Sequence, residues 1–289
     1  MELQKVTNFF SDLIQTKLSI IKILILSKWF VNLRKYGSEQ NECVILGNGP
    51  SLTNDLKIHS VFINERKKFC VNFFALSEEY VRLKPEYYIL AAPEFWLPST
   101  TEWFEQQRNL LAQSFITNTK WKMKLFIPFN ADKSKLCSTV ILNKNIEIVY
   151  FNNIPVEGWQ NIINPLFKAN LGIPRPHNVL IPAIYLAINT GFKRIVLFGA
   201  DHSWHEEIKV DDSNSVTVNH EHFYDKQDVR LPMYKLDGKK YFLHDIFRKL
   251  HYAFKGYFIL NNYAGYMSAK IQNASSRSYI DAFEKIRIT

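Results

Sequence analysis

Short apolar runs, each bounded by polar or glycine-containing turns, recur along the chain. Segments 43–46 (CVIL), 69–74 (FCVNFF), 87–92 (YYILAA), 124–128 (KLFIP), 146–151 (IEIVYF) and 194–198 (RIVLF) are too short and too uniformly apolar for surface helices. They predict strands, 43–46 and 69–74 among them buried. Between them, 103–115 and 179–189 have helical spacing, and Gly191 closes the second of these as a C-terminal cap. Segment 239–255 reads as a further helix, capped by Gly256. A strand over 257–260 (YFIL) then ends at Asn261-Asn262-Tyr263. Strands alternating with helices predict a parallel α/β sheet. Asn72 is a polar residue inside the 69–74 run; a buried Asn must find hydrogen bonds, so it either holds a loop or faces a ligand.

The first 37 residues follow a different pattern. Segment 18–31 (LSIIKILILSKWFV) is apolar but broken by Lys22 and Lys28, short of the roughly 18–20 clean residues that a spanning helix needs. It lacks the basic start and small-residue cleavage site of a secretory signal. Residues 1–37 carry six Lys/Arg against Glu2 and Asp12, a net +4. This predicts a basic amphipathic helix over 1–38 that lies in a membrane interface or docks on the core or on another subunit. Gly37-Ser38 and the polar run to Glu42 read as a linker, and 39–289 as one α/β domain.

Composition narrows the class. Among 289 residues, 15% are aromatic, which excludes disorder as the dominant state, and 10 Gly with 11 Pro exclude collagen-like chains. Three scattered cysteines without a CxxC pair exclude a disulfide framework or zinc ribbon and suggest a reducing compartment. Lys and Arg number 36 against 27 Asp and Glu, a net +9 that implies an anionic partner. Nucleic acid is not expected, because no RNP, zinc-finger or helix-turn-helix pattern is present.

Candidate chemistry lies where strands end. Gly47-Asn48-Gly49-Pro50-Ser51 follows the first strand. Its glycines allow a sharp turn and close approach to a ligand, and Pro50-Ser51 suits a helix start whose free N–H groups favour phosphate. It is neither a Walker loop nor GxGxxG. Pro93-Glu94-Phe95-Trp96 follows the third strand, and Gly199-Ala200-Asp201-His202-Ser203-Trp204-His205 follows 194–198. Ligands of open α/β sheets sit beyond such carboxyl ends. Residues 202–222 hold His202, His205, His220 and His222 with Glu206, Glu207 and Glu221, at spacings that match neither HExxH nor a zinc finger. A catalytic base suits them better than a metal. The polar stretch 206–219 reads as a lid carrying His220-Glu221-His222 at its far end.

The passages VILGNGPSL, VNFFALSEEYVRLKPEYYILAAPEFW and HNVLIPAIYLAINTGFKRIVLFGADHSW, in this order, resemble the bacterial sialyltransferase-like enzymes over residues 43–275. Those are the family 42 sialyltransferases that use CMP-sialic acid; the chain is also similar to Kdo transferases of the same fold. The resemblance implies a Rossmann-like parallel sheet of the GT-A-variant type, with a lid at about 203–235. It implies transfer of a 2-keto-3-deoxy acidic sugar (Kdo or sialic acid) from a CMP donor to a glycan acceptor in capsule, lipopolysaccharide or lipooligosaccharide synthesis. No cofactor is then required, and magnesium is not essential. A lipid-linked acceptor would bring the enzyme to the inner face of the bacterial cytoplasmic membrane.

By the same resemblance, Gly47, Asn48, Gly49, Pro50, Ser51, Asn72 and Pro93 approach the donor nucleotide. His177-Asn178-Val179 occupies the place of a Thr-Ser-Gly cytidine-binding turn, and Gly199 and Asp201 match a Gly-x-Asp. A phosphate-binding Tyr is replaced by Ser203, with His202, Trp204 and His205 as substitutes, and Ala92 stands where the family has Asn. His220 or His222 is the implied base. If the reaction retains configuration, Glu94 or Asp201 is the candidate nucleophile. Two other functions are compatible with the residues. One is a hydroxymethylpterin pyrophosphokinase-like enzyme using ATP and magnesium, whose family shares the Gly-Pro-Ser loop. The other is a non-catalytic module that binds anionic glycans.

Overall fold

A computed structural model of the chain describes residues 2–97, 102–132, 134–219, 230–232 and 240–288. Eight strands form one parallel sheet: β1 (Glu42–Leu46), β2 (Lys67–Val71), β3 (Tyr87–Ile89), β4 (Met123–Pro128), β5 (Ile146–Phe151), β6 (Arg194–Phe198), β10 (Lys270–Asn273) and β11 (Glu284–Lys285). Their spatial order is β11-β10-β6-β1-β2-β3-β4-β5. Three short strands, β7 (Ile208–Val210), β8 (Val216–Asn219) and β9 (Arg230–Pro232), make a separate antiparallel sheet. The helices are α1 (Glu2–Leu26), α2 (Leu52–Ile58), α3 (Ser60–Asn64), α4 (Glu79–Leu83), α5 (Glu102–Asn118), α6 (Lys135–Val140), α7 (Gln160–Lys168), α8 (Leu180–Thr190) and α9 (Leu243–Tyr266). This is the expected Rossmann-like α/β class.

The apolar runs of the inner strands are explained by burial on both faces of the sheet, whereas the edge strand β5 leaves Glu147 exposed. Cys43 and Ile45 of β1 join one core cluster, with Phe69, Ile195 and residues of α8 and α9. Val44 and Leu46 join the other, with Cys70, Val196 and Phe115 of α5. A strand with period-two alternation and two covered faces has no position left for a polar side chain. The chain starts in the middle of the sheet, steps outward from β1 to β5, then returns to lay β6 on the other side of β1. The reversal makes a switch point between β1 and β6, where crevices open at the strand ends.

Several expected boundaries differ. The helix expected over 1–38 ends at Leu26, and a separate short turn follows at Arg34–Tyr36. The second strand stops at Val71; Asn72 takes φ +51° and starts a tight turn, so it lies at the strand end rather than inside it. The third strand covers only Tyr87–Ile89. The expected strand over 257–260 lies within α9, and Gly256 is not a cap. The β-branched and aromatic content of that run suggested a strand. Its buried residues Ala253, Tyr257, Leu260 and Ala264 instead recur at helical spacing against α8. A Cβ on Gly256 would lie 2.7 Å from Ile181 Cδ1, so this glycine lets the two helices approach. At the start of the expected linker the chain is packed, while Glu39, Gln40 and Asn41 are exposed. Leu33 is buried, and a Cβ on Gly37 would meet the Thr190 carbonyl oxygen at 2.2 Å.

Candidate functional site

The loops after β1 and β6 lie against each other at the switch point. Gly47 N–H donates to the Phe198 carbonyl at 2.8 Å, and Gly49 N–H to the Gly199 carbonyl at 2.9 Å. A Cβ on Gly47 would come within 2.4 Å of Gly199 O, and one on Gly49 within 2.0 Å of Asp201 Oδ2. The GNG sequence is therefore required by contact between two backbones. Gly199 itself has φ +60°, in the left-handed region.

Two carboxylates fasten this junction. Asp201 is 3% exposed and accepts from Ser51 Oγ at 2.7 Å and Ser51 N at 3.2 Å. Burial raises its pKa above the usual carboxylate range, opposed by the hydrogen bonds from Ser51. Asp55, fully buried on α2, accepts from Gly199 N and Ser276 N, both at 3.0 Å. The start of α2 is thus occupied by a protein carboxylate. Ser51 N donates to Asp201 and Leu52 N to the Gly49 carbonyl, so these N–H groups are not free for a phosphate as the sequence suggested.

Beyond the junction opens a cavity of about 620 Å³. Every described candidate except Gly47, Ser51 and His205 lines it: Asn48, Gly49, Pro50, Asn72, Pro93, Glu94, His177, Asn178, Gly199, Asp201, His202, Ser203 and Trp204. Loops far apart in sequence converge there as expected. His220 and His222 lie outside the described residues. Of the segment expected as a lid, residues 220–229 and 233–235 lie outside the described residues; the described part holds a turn at Trp204–Glu207 followed by β7 and β8, with Glu206 bonded to Arg277 and Tyr279.

The polar atoms around the cavity are unusually bare. Asn48 Oδ1, Asn72 Oδ1, Asn153 Oδ1, His177 Nε2 and Asn178 Nδ2 are buried without a protein partner. Three of the amides have their orientation fixed. Asn48 Nδ2 donates to the Val71 carbonyl at 3.1 Å and Asn153 Nδ2 to the Ala91 carbonyl at 3.2 Å, so their oxygens must turn the other way. Asn178 is fixed similarly, because its Oδ1 accepts from Leu180 N at 2.9 Å at the start of α8. Unpaired buried polar groups cost about 1–3 kcal/mol each, so a site that concentrates them is built to be filled.

Both described histidines facing the cavity from its core side are neutral near pH 7. His202 sits at φ +53°, and its Nε2 lies 2.5 Å from the Tyr257 hydroxyl, which also bonds Asn178 Oδ1 at 3.0 Å. Burial lowers the His202 pKa to about 3. His177 stacks on Tyr252, and burial, then the Arg175 and Lys249 charges, lower its pKa to about 4. Positive charge reaches the cavity wall from Lys249 and Arg277, and Glu94 is exposed on the same wall. No group of three or more His, Cys, Asp or Glu among the described residues is placed to hold a metal ion.

Asn153, Asp55, Tyr257, Lys249 and Arg277 were not singled out from sequence. Asn153 had a usable signal, since it is a polar residue two positions past the end of β5, at the same sheet edge as the other loops. Tyr257 lies in the 257–260 run, whose apolar content points to a strand and conceals its helical position. The two cations come from α9 and from a loop after β10, and no local pattern ties either to the cavity.

No protein-family model matches the chain, and no curated protein matches it. Among solved structures, the chain is similar to that of the MAf glycosyltransferase from Magnetospirillum magneticum AMB-1, with a TM-score of 0.45 and 12% identity. The match covers 90% of this chain and 35% of that one, so this chain spans about a third of that protein's length.

Proposed function

We propose that the chain is a glycosyltransferase that moves a 2-keto-3-deoxy acidic sugar, Kdo or sialic acid, from a CMP donor to a glycan acceptor. The observation that carries this reading is the set of five unpaired polar atoms around one cavity at the switch point. The cavity volume of about 620 Å³ suits a small-molecule site. Cytosine presents an amino donor beside two acceptors, and ribose adds hydroxyls that serve as either. Amide oxygens of Asn48, Asn72 and Asn153 complement the donors, and Asn178 Nδ2 complements an acceptor. Asn153, bonded to Ala91, supplies an amide beside Ala92, where the related enzymes carry theirs. Lys249 and Arg277 supply charge for the phosphate and the sugar carboxylate.

In such a transfer the bond between the anomeric carbon and the CMP phosphate oxygen breaks, and an acceptor hydroxyl oxygen forms the new bond. The leaving phosphate keeps the electron pair, and the hydroxyl proton passes to a base. Cations fixed beside the developing phosphate charge lower the barrier. The base is assigned to His220 or His222, as the resemblance implies. Asp201, with both oxygens turned to Ser51, acts in this reading as a positioning residue for the loop. Glu94, exposed on the cavity wall, is left as the candidate nucleophile of a retaining course.

The test is a melting-temperature panel of CMP, CDP, UDP, GDP and ATP, each with and without magnesium. A ligand at a hundredfold excess over its Kd stabilises by about 2.7 kcal/mol. Stabilisation by CMP without magnesium, weakened in Asn48→Ala and Asn178→Ala, is the expected outcome. Response to ATP with magnesium alone would replace this reading with a pyrophosphokinase.

A further inference from the structure

Helix α1 is amphipathic in the inverted sense. An ordinary surface helix turns its large apolar side chains to the core and its polar ones to water. Here the buried stripe is Thr16, Ser19, Ile23 and Ser27, spaced at three and four residues. Its polar members dock by hydrogen bonds. Ser19 Oγ donates to the Glu157 carbonyl at 2.8 Å and accepts from Glu157 N at 2.9 Å. Trp159 N donates to Thr16 Oγ1 at 3.0 Å, and Ser27 Oγ donates to the Leu171 carbonyl at 2.5 Å. Gly158 has no Cβ to obstruct this contact; one would lie 2.0 Å from Thr16 Oγ1. The outward stripe is Phe10, Ile14, Leu18, Ile21 and Ile25, between 50% and 73% exposed. Just past the helix, Trp29 is half exposed, and Phe30 is 99% exposed at φ +63°.

The charges beside this face select its occupant. Lys17, Lys22 and Lys28 lie on or just past the helix, and Arg34 and Lys35 follow, so segment 1–37 carries six cations against two acids. A second copy of this chain would bring the same cations together across the contact, whereas an anionic lipid surface neutralises them while accepting the apolar stripe. No described helix is long and apolar enough to cross a membrane. We infer that α1 lies flat in the headgroup region of an anionic membrane, with the stripe from Phe10 to Ile25 and the Phe30 side chain inserted. The docked segment and the cavity wall meet at two consecutive residues. Asn152 exchanges hydrogen bonds with the backbone of Lys28, at 2.9 and 2.7 Å, while the next residue, Asn153, presents its oxygen to the cavity.

The experiment is flotation of the full chain with vesicles of pure phosphatidylcholine or of phosphatidylcholine with one quarter phosphatidylglycerol. Sedimentation velocity without lipid runs in parallel. The expected results are a monomer in buffer and partitioning at least about tenfold stronger onto the anionic vesicles. The double variant Ile14→Asp, Ile21→Asp should lose binding with unchanged circular dichroism, because both positions face away from the docked side. The triple variant Lys17→Gln, Lys22→Gln, Lys28→Gln, which leaves the apolar stripe intact, should lose the anionic preference and controls for misfolding of the first. Absence of binding, or binding that survives both variants, overturns the inference. So does a wild-type dimer in buffer that the aspartates convert to monomer, since a second copy would then cover the face. CMP binding is read without lipid, so failure here leaves the cavity assignment standing.

Discussion

Acidification should destabilise this protein through two histidines whose pKa values burial lowers, His202 and His177, and the His202 share can be separated. His202 is 7% exposed, and burial lowers its pKa from 6.5 to about 3. Its folded pKa therefore lies below its unfolded one, so the unfolded chain takes up the proton first. The stability this ring contributes is complete above pH 6.5 and is lost as pH falls toward the folded value. Between pH 7 and pH 5 the unfolded imidazole goes from mostly neutral to almost fully charged, while the folded one stays neutral. The integrated loss from this residue is about 2 kcal/mol. Its φ of +53° restricts the choice of replacement, and His202→Asn is suitable because Asn tolerates the left-handed region. Urea unfolding followed by tryptophan fluorescence at pH 7 and pH 5 gives the loss for both proteins. The wild type should lose about 2 kcal/mol more than the variant over this interval. Equal losses would show that His202 is accessible to protons in the folded state, and the neutral His202–Tyr257–Asn178 arrangement would have to be abandoned.

Other substitutions separate junction from cavity. Gly49→Ala places a Cβ 2.0 Å from Asp201 Oδ2 and 2.7 Å from Gly199 O; it should cost about 1–3 kcal/mol in thermal unfolding, and a wild-type melting curve would contradict the backbone contact. Tyr257→Phe keeps the ring and removes the hydroxyl shared by His202 and Asn178, for an expected loss of about 1–3 kcal/mol by denaturant titration. Asn153→Ala should leave stability within about 1 kcal/mol but weaken CMP binding by roughly two- to tenfold in calorimetry, as expected for one lost hydrogen bond; unchanged affinity would remove Asn153 from the donor site.

Much of the fold was legible in local sequence. A strand covered on both sheet faces must be apolar at every position, so 43–46 and 194–198 announced themselves, and both became central strands of the sheet. The glycines of the first loop were legible as a close approach, although their partner proved to be the Gly199 loop as well as open cavity. The convergence of loops 47–51, 93–96 and 199–205 followed from strand polarity, because all carboxyl ends of a parallel sheet lie on one edge. Tertiary packing decided the rest. Whether 257–260 is strand or helix depended on α8 offering a surface against which Ala253, Tyr257, Leu260 and Ala264 form a single buried face. Whether the start of α2 faced a ligand or Asp201 depended on a residue 150 positions away. The sequence determined that α1 would be an amphipathic helix. Only the three-dimensional contacts decided that its small polar stripe turns inward, because Thr16, Ser19 and Ser27 find backbone partners at 157–171 that periodicity along one helix does not encode.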